Sequence, residues 1–249
     1  MKIVFRGTSC AEPTAENGFT SIILKAGSLQ ILIDASGNPV QSILKAGCDP
    51  LAVDLLILTH YHADHIAGFP ALVQTLSCMG RNRNLIVVCS SPTEKKALGL
   101  VDVLKLHPES LGYPLTYQDS YSGSGIHVRL VEGNHSVPSS MVLISENDTR
   151  ILYTADTAFS SRIGETARGC QALIHEATFS QARIQEFENG GHSSAYQAGL
   201  SAAASGVKTL FLCHICAHQF ENSHSAATEA ESAFAGEVIV PQTFRWYKL

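Results

Sequence analysis

Residues 58–68 read LTHYHADHIAG, and four of them, His60, His62, Asp64 and His65, are metal-capable side chains within six positions. They follow the apolar run Leu55-Leu56-Ile57-Leu58. A metal site needs neutral imidazole nitrogens and ionised carboxylate oxygens on a rigid frame, and the end of a buried strand is such a frame. In an extended loop His60 and His62 alternate and point the same way, leaving Asp64 and His65 to the other side. One loop can therefore feed two neighbouring metals. The competing reading is a polar loop, since a lone histidine at a strand end is ordinarily a hydrogen-bonded core or surface residue. Three imidazoles and a carboxylate in one loop, however, have little packing value.

The arrangement recurs. His60 follows LLILT, His135 follows VRLVEGN, Asp156 follows ILYTA and His214 follows TLFLC. Each is an apolar strand ending in a side chain that can ligate a metal.

The elements that must position these residues are short. Extended runs are expected at Ile3–Phe5, Thr20–Lys25 and Gln30–Asp34, the last two joined by the Ala26-Gly27-Ser28 turn. Leu55–Thr59 and Leu85–Cys89 read as buried strands. Helices are expected over Pro39–Ala46, Ala67–Met79 and Ser91–Leu106, the last with Ser91 as cap and Pro92 in its first turn. A second set follows: strands at Ile126–Glu132, Ser140–Ser145, Arg150–Thr154, Ala172–Ile174 and Thr209–Cys213, with helices over Ser193–Ala204 and Ser223–Ala235. The apolar runs are too continuous for a sheet wetted on one face. The pattern predicts a four-layer αββα sandwich of the α/β class, two mixed sheets with helices outside, as one domain over residues 1–249.

With this loop and these strand ends, the chain resembles the metallo-β-lactamase superfamily along essentially its whole length. The resemblance implies a first metal held by His60, His62 and His135, a second by Asp64, His65 and His214, and Asp156 bridging both. It implies two divalent ions, zinc first and manganese as the alternative, ~3.5–4 Å apart around a nucleophilic water or hydroxide. Fold alone does not choose the bond. The redox branch of the superfamily carries a glutamate where this chain has His62, so hydrolysis is favoured.

The 57 residues between Asp156 and His214 narrow the choice. They contain ALIHEATF at 172–179 and GGHSSA at 190–195. The first is similar to the H-E-A-T segment of the ribonuclease Z group. The second is similar to its H-S-T loop, with Ser194 in place of threonine. Gly7-Thr8 with Pro13, and His135-Ser-Val-Pro-Ser139, also match. A phosphodiester needs its leaving alkoxide protonated as well as its phosphorus attacked, and a histidine oriented by a carboxylate can supply that proton. His192 fits as this general acid with Glu176 as its partner, a pairing the resemblance also implies. Asp64 is expected to take the proton of the attacking water while ligating. Ser139, Ser193 and Ser194 are candidate phosphate contacts, with Ser193 equally suited to cap the helix that follows.

The substrate expectation departs from the group. Its transfer-RNA-processing members carry a protruding arm that grips RNA between the third-motif histidine and the bridging aspartate. Here His135 and Asp156 are 21 positions apart, room for one plain hairpin. A small or cyclic phosphodiester is therefore preferred over the 3′ end of an RNA. The alternatives are a transfer-RNA 3′-processing endoribonuclease, a thioester or β-lactam hydrolase, and a non-catalytic metal-bound scaffold. The group's members commonly pair as homodimers, and a homodimer is expected here.

Bulk properties set the remaining bounds. With 45% hydrophobic and 16% charged residues the chain is globular, and a formal charge of −5 argues against a nucleic-acid-coating surface. No apolar stretch approaches the length of a membrane span. The N-terminus lacks a signal-peptide core, and the seven cysteines at 10, 48, 78, 89, 170, 213 and 216 are odd in number and dispersed. Reduced thiols and a cytoplasmic location are the expectation. Cys213-His214-Ile215-Cys216 has no second cysteine pair and reads as buried free thiols around a ligand. His107, His127, His218 and His224 are given no function.

Overall fold

The computed structural model of the chain describes residues 1–187, 190–221 and 224–249. Its strands are β1 (Lys2–Gly7), β2 (Ser21–Ala26), β3 (Leu29–Ile33), β4 (Val53–Leu58), β5 (Leu85–Cys89), β6 (Leu115–Gln118) and β7 (Ser120–Gly123). They continue as β8 (Ile126–Glu132), β9 (Ser140–Glu146), β10 (Thr149–Tyr153), β11 (Ala172–Glu176), β12 (Thr209–Cys213), β13 (Glu237–Ile239) and β14 (Trp246–Lys248). The α-helices are α1 (Pro39–Lys45), α2 (Ala63–Ile66), α3 (Phe69–Cys78), α4 (Ser91–Val103), α5 (Pro108–Leu111), α6 (Ser161–Ala167), α7 (Ile184–Phe187), α8 (Ala195–Ser205) and α9 (Ser225–Glu231).

Two seven-stranded sheets result, in the orders β14-β1-β2-β3-β4-β5-β6 and β13-β12-β11-β10-β9-β8-β7. Each is mixed. In the first, pairing changes from antiparallel at β2–β3 to parallel at β3–β4; in the second, the change falls between β9–β10 and β10–β11. The period-2 alternation of strand side chains divides the core. Ile31, Ile33, Leu55 and Ile57 face Ile144, Ile151, Ile174 and Phe211 between the sheets. Leu32, Leu56 and Leu58 turn outward onto Phe69, Leu72 and Leu76 of α3. Leu152, Leu173 and Leu210 turn outward onto Ala195, Ala198 and Ala202 of α8. These are the four expected layers.

The expected element boundaries need several corrections. Ser90, extended at φ −71° and ψ 154°, is the N-cap of α4, so Ser91 is its first helical residue. The expected Ala67–Met79 helix is α3, preceded by the separate turn α2 inside the ligand loop. Helix α8 begins at Ala195 and is capped by Ser194, not Ser193: Ser194 and Gln197 form a reciprocal capping box. Ser223, the expected start of the last helix, lies outside the described residues, and α9 covers Ser225–Glu231. The short strands β6, β7, β13 and β14 lie at or beside sheet edges and are partly exposed, which leaves them without a buried apolar signature.

The cysteines also need correction. Cys10 and Cys216 form a disulfide, with Cα atoms 5.3 Å apart and a sequence separation of 206. The fold brings the loop after β1 against the segment after β12, where Cys10 N–H donates to Ile215 C=O at 3.3 Å. Nothing in the local sequence of either cysteine reveals that adjacency. Cys48, Cys78, Cys89, Cys170 and Cys213 are free, and Cys213 is buried as expected.

Candidate metal centre

The candidate ligands lie on the segments that follow the C-terminal ends of β4, β8, β10 and β12, with Asp64 and His65 inside α2. Three of the strand exits use the left-handed backbone region: Asp34 after β3 at φ 59°, Ala155 after β10 at φ 50°, and His214 after β12 at φ 55°. Non-glycine residues adopt this region at a cost, and such positions cluster at functional sites.

The structure brings the seven candidates together in two groups that share one carboxylate. His60, His62, His135 and Asp156 form one, and Asp64, His65, His214 and Asp156 the other, with the nearest ligand atoms within each group all inside 4.8 Å. Asp156 Oδ2 lies 3.6 Å from His60 Nε2 and 3.9 Å from His135 Nε2 in the first group. In the second it lies 3.3 Å from His65 Nε2 and 3.1 Å from His214 Nε2. Asp156 is thus common to both groups. His135 Nε2 and His62 Nδ1 are 3.0 Å apart, so these two rings aim at one point.

Hydrogen bonds fix which nitrogen of several rings carries a proton. Asp34 Oδ1 accepts from the backbone N–H of Thr59 at 2.9 Å, and its carboxylate also accepts the Thr59 hydroxyl at 3.0 Å. With its proton on Asp34, Thr59 Oγ1 can only accept from His60 Nδ1–H, at 3.0 Å. Asp34 Oδ2 also takes His65 Nδ1–H at 2.8 Å. His135 Nδ1–H donates to the carbonyl of Gly191 at 2.7 Å. Gly191 has φ 71°, and a Cβ there would lie 2.8 Å from His135 Nδ1, so the approach requires glycine. The Nε2 atoms of His60, His65 and His135 are left as lone-pair donors facing the cluster.

These free atoms are the test of fit for a cation. His60 Nε2, His65 Nε2 and Asp156 Oδ1 are buried without a hydrogen-bond partner. Buried polar atoms are ordinarily paired, and an unpaired convergent set of imidazole nitrogens and carboxylate oxygens suits divalent ions. Burial, reinforced by the neighbouring His65, drives the His60 pKa well below its usual value, which keeps it neutral. Burial lowers His62 and His135 likewise. Against burial, contacts with His214 and His65 hold the Asp64 and Asp156 carboxyls ionised, far below the usual range. Burial is also overcome at His65, whose pKa the Asp156 and Asp34 carboxylates raise; what favours a proton on its Nε2 equally favours a metal cation there.

A second constellation adjoins the ligands. Glu176, at the end of β11, is fully buried. Its Oε1 accepts from Thr157 N–H at 2.7 Å and faces His192 Nδ1 at 3.0 Å. Its Oε2 accepts from Thr178 Oγ1 at 2.6 Å and Ser193 N–H at 3.1 Å. The His192 ring lies 4.7 Å from that of His135 and stacks 5.3 Å from that of His214. Burial opposes its charge, but the Glu176 carboxylate raises its pKa to about 9. The same pairing, against the opposing effect of burial, keeps Glu176 below the usual carboxylate range.

The three serines are placed differently from the expectation. Ser193 and Ser194 are fully buried. The Ser193 hydroxyl donates to Thr157 C=O at 2.7 Å, and that of Ser194 bonds Gln181 Oε1 at 2.6 Å while capping α8. Both hydroxyls are occupied inside the protein, so neither is presented to a substrate. Ser139 Oγ is buried with no partner and likewise has no open face. From the sequence Asp34 is only the end of an expected strand, and Thr59, Thr178 and the Gly191 carbonyl are not among the expected functional groups. A threonine directly before or closely after a ligand or acid at a strand end is the signal that could have found two of them.

The family model described as "Beta-lactamase superfamily domain" matches residues 30–215, a span that includes all seven candidate ligands. The chain belongs to the beta-lactamase superfamily. Among superfamily relatives, it is 27% identical over 270 residues to a ribonuclease Z of Metallosphaera sedula, covering 90% of this chain and 91% of the relative. That alignment is longer than this 249-residue chain, so the relative carries residues that have no counterpart here. The metallo-beta-lactamase fold protein YhfI from Bacillus subtilis superposes with a TM-score of 0.85 at 21% identity, covering 99% of this chain and 98% of its own. Human tRNase Z, short form, superposes with a TM-score of 0.81 at 18% identity, covering 100% and 99%. These two likenesses establish the fold.

Proposed function

We propose that the chain is a dinuclear, metal-dependent phosphodiester hydrolase. The observation that carries the reading is the Glu176–His192 pair, 3.0 Å apart and set against the rings of ligands His135 and His214. A metal site alone serves many hydrolyses; a positioned acid beside it suits a poor alkoxide leaving group. The similarity to ribonucleases Z supports the same bond class.

In this reading His60, His62 and His135 would hold one divalent ion and Asp64, His65 and His214 the other, with Asp156 shared between them. Such ions would supply a water of lowered pKa and positive charge for the phosphoryl oxygens. Asp64 takes the proton that the attacking water gives up. His192 donates from Nε2 to the departing oxygen while its Nδ1–H stays on Glu176, which holds the ring's orientation. Zinc is the first metal to test and manganese the second. One domain over 1–249, a cytoplasmic location and a homodimer complete the proposal. Among the described residues no helix is long and apolar enough to cross a membrane.

A small or cyclic diester is preferred as substrate. Between Gly133 and Ala155 the chain makes only the β9–β10 hairpin, with Glu146 paired to Thr149 across its turn. The position where the resemblance implies an RNA-gripping arm holds nothing that protrudes.

Metal analysis of the purified protein, with assays on bis-p-nitrophenyl phosphate, cyclic nucleotides, an unprocessed transfer RNA and a β-lactam, tests the reading. Bound metal with turnover of the small diesters above that of the transfer RNA is expected. Turnover of the lactam with none of any phosphodiester overturns the bond assignment, and preference for the transfer RNA overturns the size assignment.

A further inference from the structure

The hydroxyl of Thr178 touches three functional groups. It lies 2.6 Å from Glu176 Oε2, 2.9 Å from His214 Nδ1 and 3.3 Å from His192 Nδ1, in a side chain that is 5% exposed. A hydroxyl has one proton to donate. Glu176 is ionised and can only accept, so the Thr178 proton belongs on its Oε2. Thr178 Oγ1 is then an acceptor toward His214, and the proton of His214 must sit on Nδ1. Its Nε2 is thereby left as a lone-pair donor, 3.4 Å from Asp64 Oδ2 and 3.1 Å from Asp156 Oδ2.

The first sheet contains the same device. Asp34 binds His65 directly and His60 through the Thr59 hydroxyl. Glu176 binds His192 directly and His214 through the Thr178 hydroxyl. Each sheet thus contributes a buried carboxylate, a threonine that relays its polarity, and two histidines.

We propose that Thr178 is a positioning residue that sets the tautomer of His214 for the second metal and locks Glu176 against His192, joining the acid pair to the metal centre. The proposal rests on the dinuclear reading above. It distinguishes Thr178 from a packing threonine, because its hydroxyl and not its methyl group is what the site uses. Removing a hydrogen-bond partner of a metal ligand ordinarily weakens the metal by about 10–100-fold.

Calorimetric titration of the metal-free protein with zinc alone tests this without any substrate. His214→Ala identifies the binding step that belongs to the second ion, and His60→Ala the first. Thr178→Val, matched in shape, is expected to weaken the His214-dependent step about 10–100-fold and to spare the other. Thr178→Ser, which keeps the hydroxyl, is expected to retain both steps. Thr59→Val is expected to weaken the His60-dependent step instead. If the valine variant does not fold, Thr178→Ala read against Thr178→Ser decides. Both steps unchanged in the variant lacking the hydroxyl, or both weakened alike, overturns the role of Thr178 while the dinuclear reading stands. A wild-type protein that takes up no zinc overturns the dinuclear reading itself and the inference with it.

Discussion

Glu176 Oε1 and His192 Nδ1 lie 3.0 Å apart, and Glu176 is fully buried while the His192 side chain keeps 21% of its surface exposed. The carboxylate is satisfied by four groups and has no capacity for substrate, whereas the imidazole is the member of the pair that reaches the open side. This difference in burial supports the proposed division of labour, in which Glu176 would orient and His192 would act.

His192→Ala is accordingly expected to lower kcat by about 10²–10⁴-fold on a dinucleotide diester. The zinc content should be unchanged, because His192 is outside both ligand groups proposed here. On bis-p-nitrophenyl phosphate, whose leaving group departs without much protonation, the loss should be much smaller. Equal losses on the two substrates would show that the ring does something other than donate a proton. Steady-state kinetics with metal analysis of the same samples gives the answer.

The same pair predicts a pH dependence. A general acid must be protonated, so kcat falls as pH rises through the pKa of His192. Against the opposing effect of burial, the Glu176 carboxylate holds that pKa up, so the alkaline limb lies at higher pH than it would without Glu176. Glu176→Gln removes the cause and should move the limb downward in pH. The linkage to stability has a matching sign. A pKa raised on folding contributes stability that is fully present below 6.5 and lost as pH rises through about 9. Metal-free wild-type protein should therefore lose more of its melting temperature across that window than metal-free Glu176→Gln. A limb that stays in place in the glutamine variant would refute the assignment.

Legibility from sequence followed burial. The strands β5, β8 and β12 coincide with their apolar runs, because both faces of these strands or one alternating face meet the core. Of the seven ligand candidates, His60, His135, Asp156 and His214 are visible because each ends an apolar run, and His62, Asp64 and His65 because they crowd into the same loop as His60. What supports them is not. Asp34 lies 31 positions from His65, and Gly191 lies 56 from His135, so those contacts exist only once the sheets have formed. The serines misled for a related reason. A hydroxyl beside His192 suggests substrate contact, and only tertiary structure shows that Ser193 and Ser194 spend theirs on Thr157 and Gln181.

Gly191→Ala tests one of those invisible supports. The added methyl would lie 2.8 Å from His135 Nδ1 and 2.9 Å from the Ser136 amide nitrogen, at a φ of 71° that alanine resists. Left-handed backbone at such a residue costs about 1–3 kcal/mol. The variant should melt lower than wild type and bind its first zinc more weakly, because the carbonyl that orients His135 is displaced. An unchanged zinc isotherm and melting temperature would mean that the Gly191–His135 contact is dispensable.

The Cys10–Cys216 bridge is testable by counting thiols. The denatured, unreduced protein should expose five reactive thiols and the reduced protein seven, the difference being the one disulfide. The bridge closes a loop of most of the chain, which restricts the unfolded ensemble, and removing a native disulfide typically costs about 2–4 kcal/mol. Cys10→Ser with Cys216→Ser should lower the denaturant midpoint accordingly, and reductant should do the same to wild type while leaving the double variant unmoved. The site should feel the change too. Cys216 lies two residues from His214, and Ile215 between them is bonded on both sides to the loop after β1, through Thr8 C=O and Cys10 N–H. The His214-dependent zinc step is therefore expected to weaken in the double variant, and an unchanged step would show that the backbone bonds alone hold His214 in place. Seven reactive thiols in the unreduced protein would show that the bridge does not form.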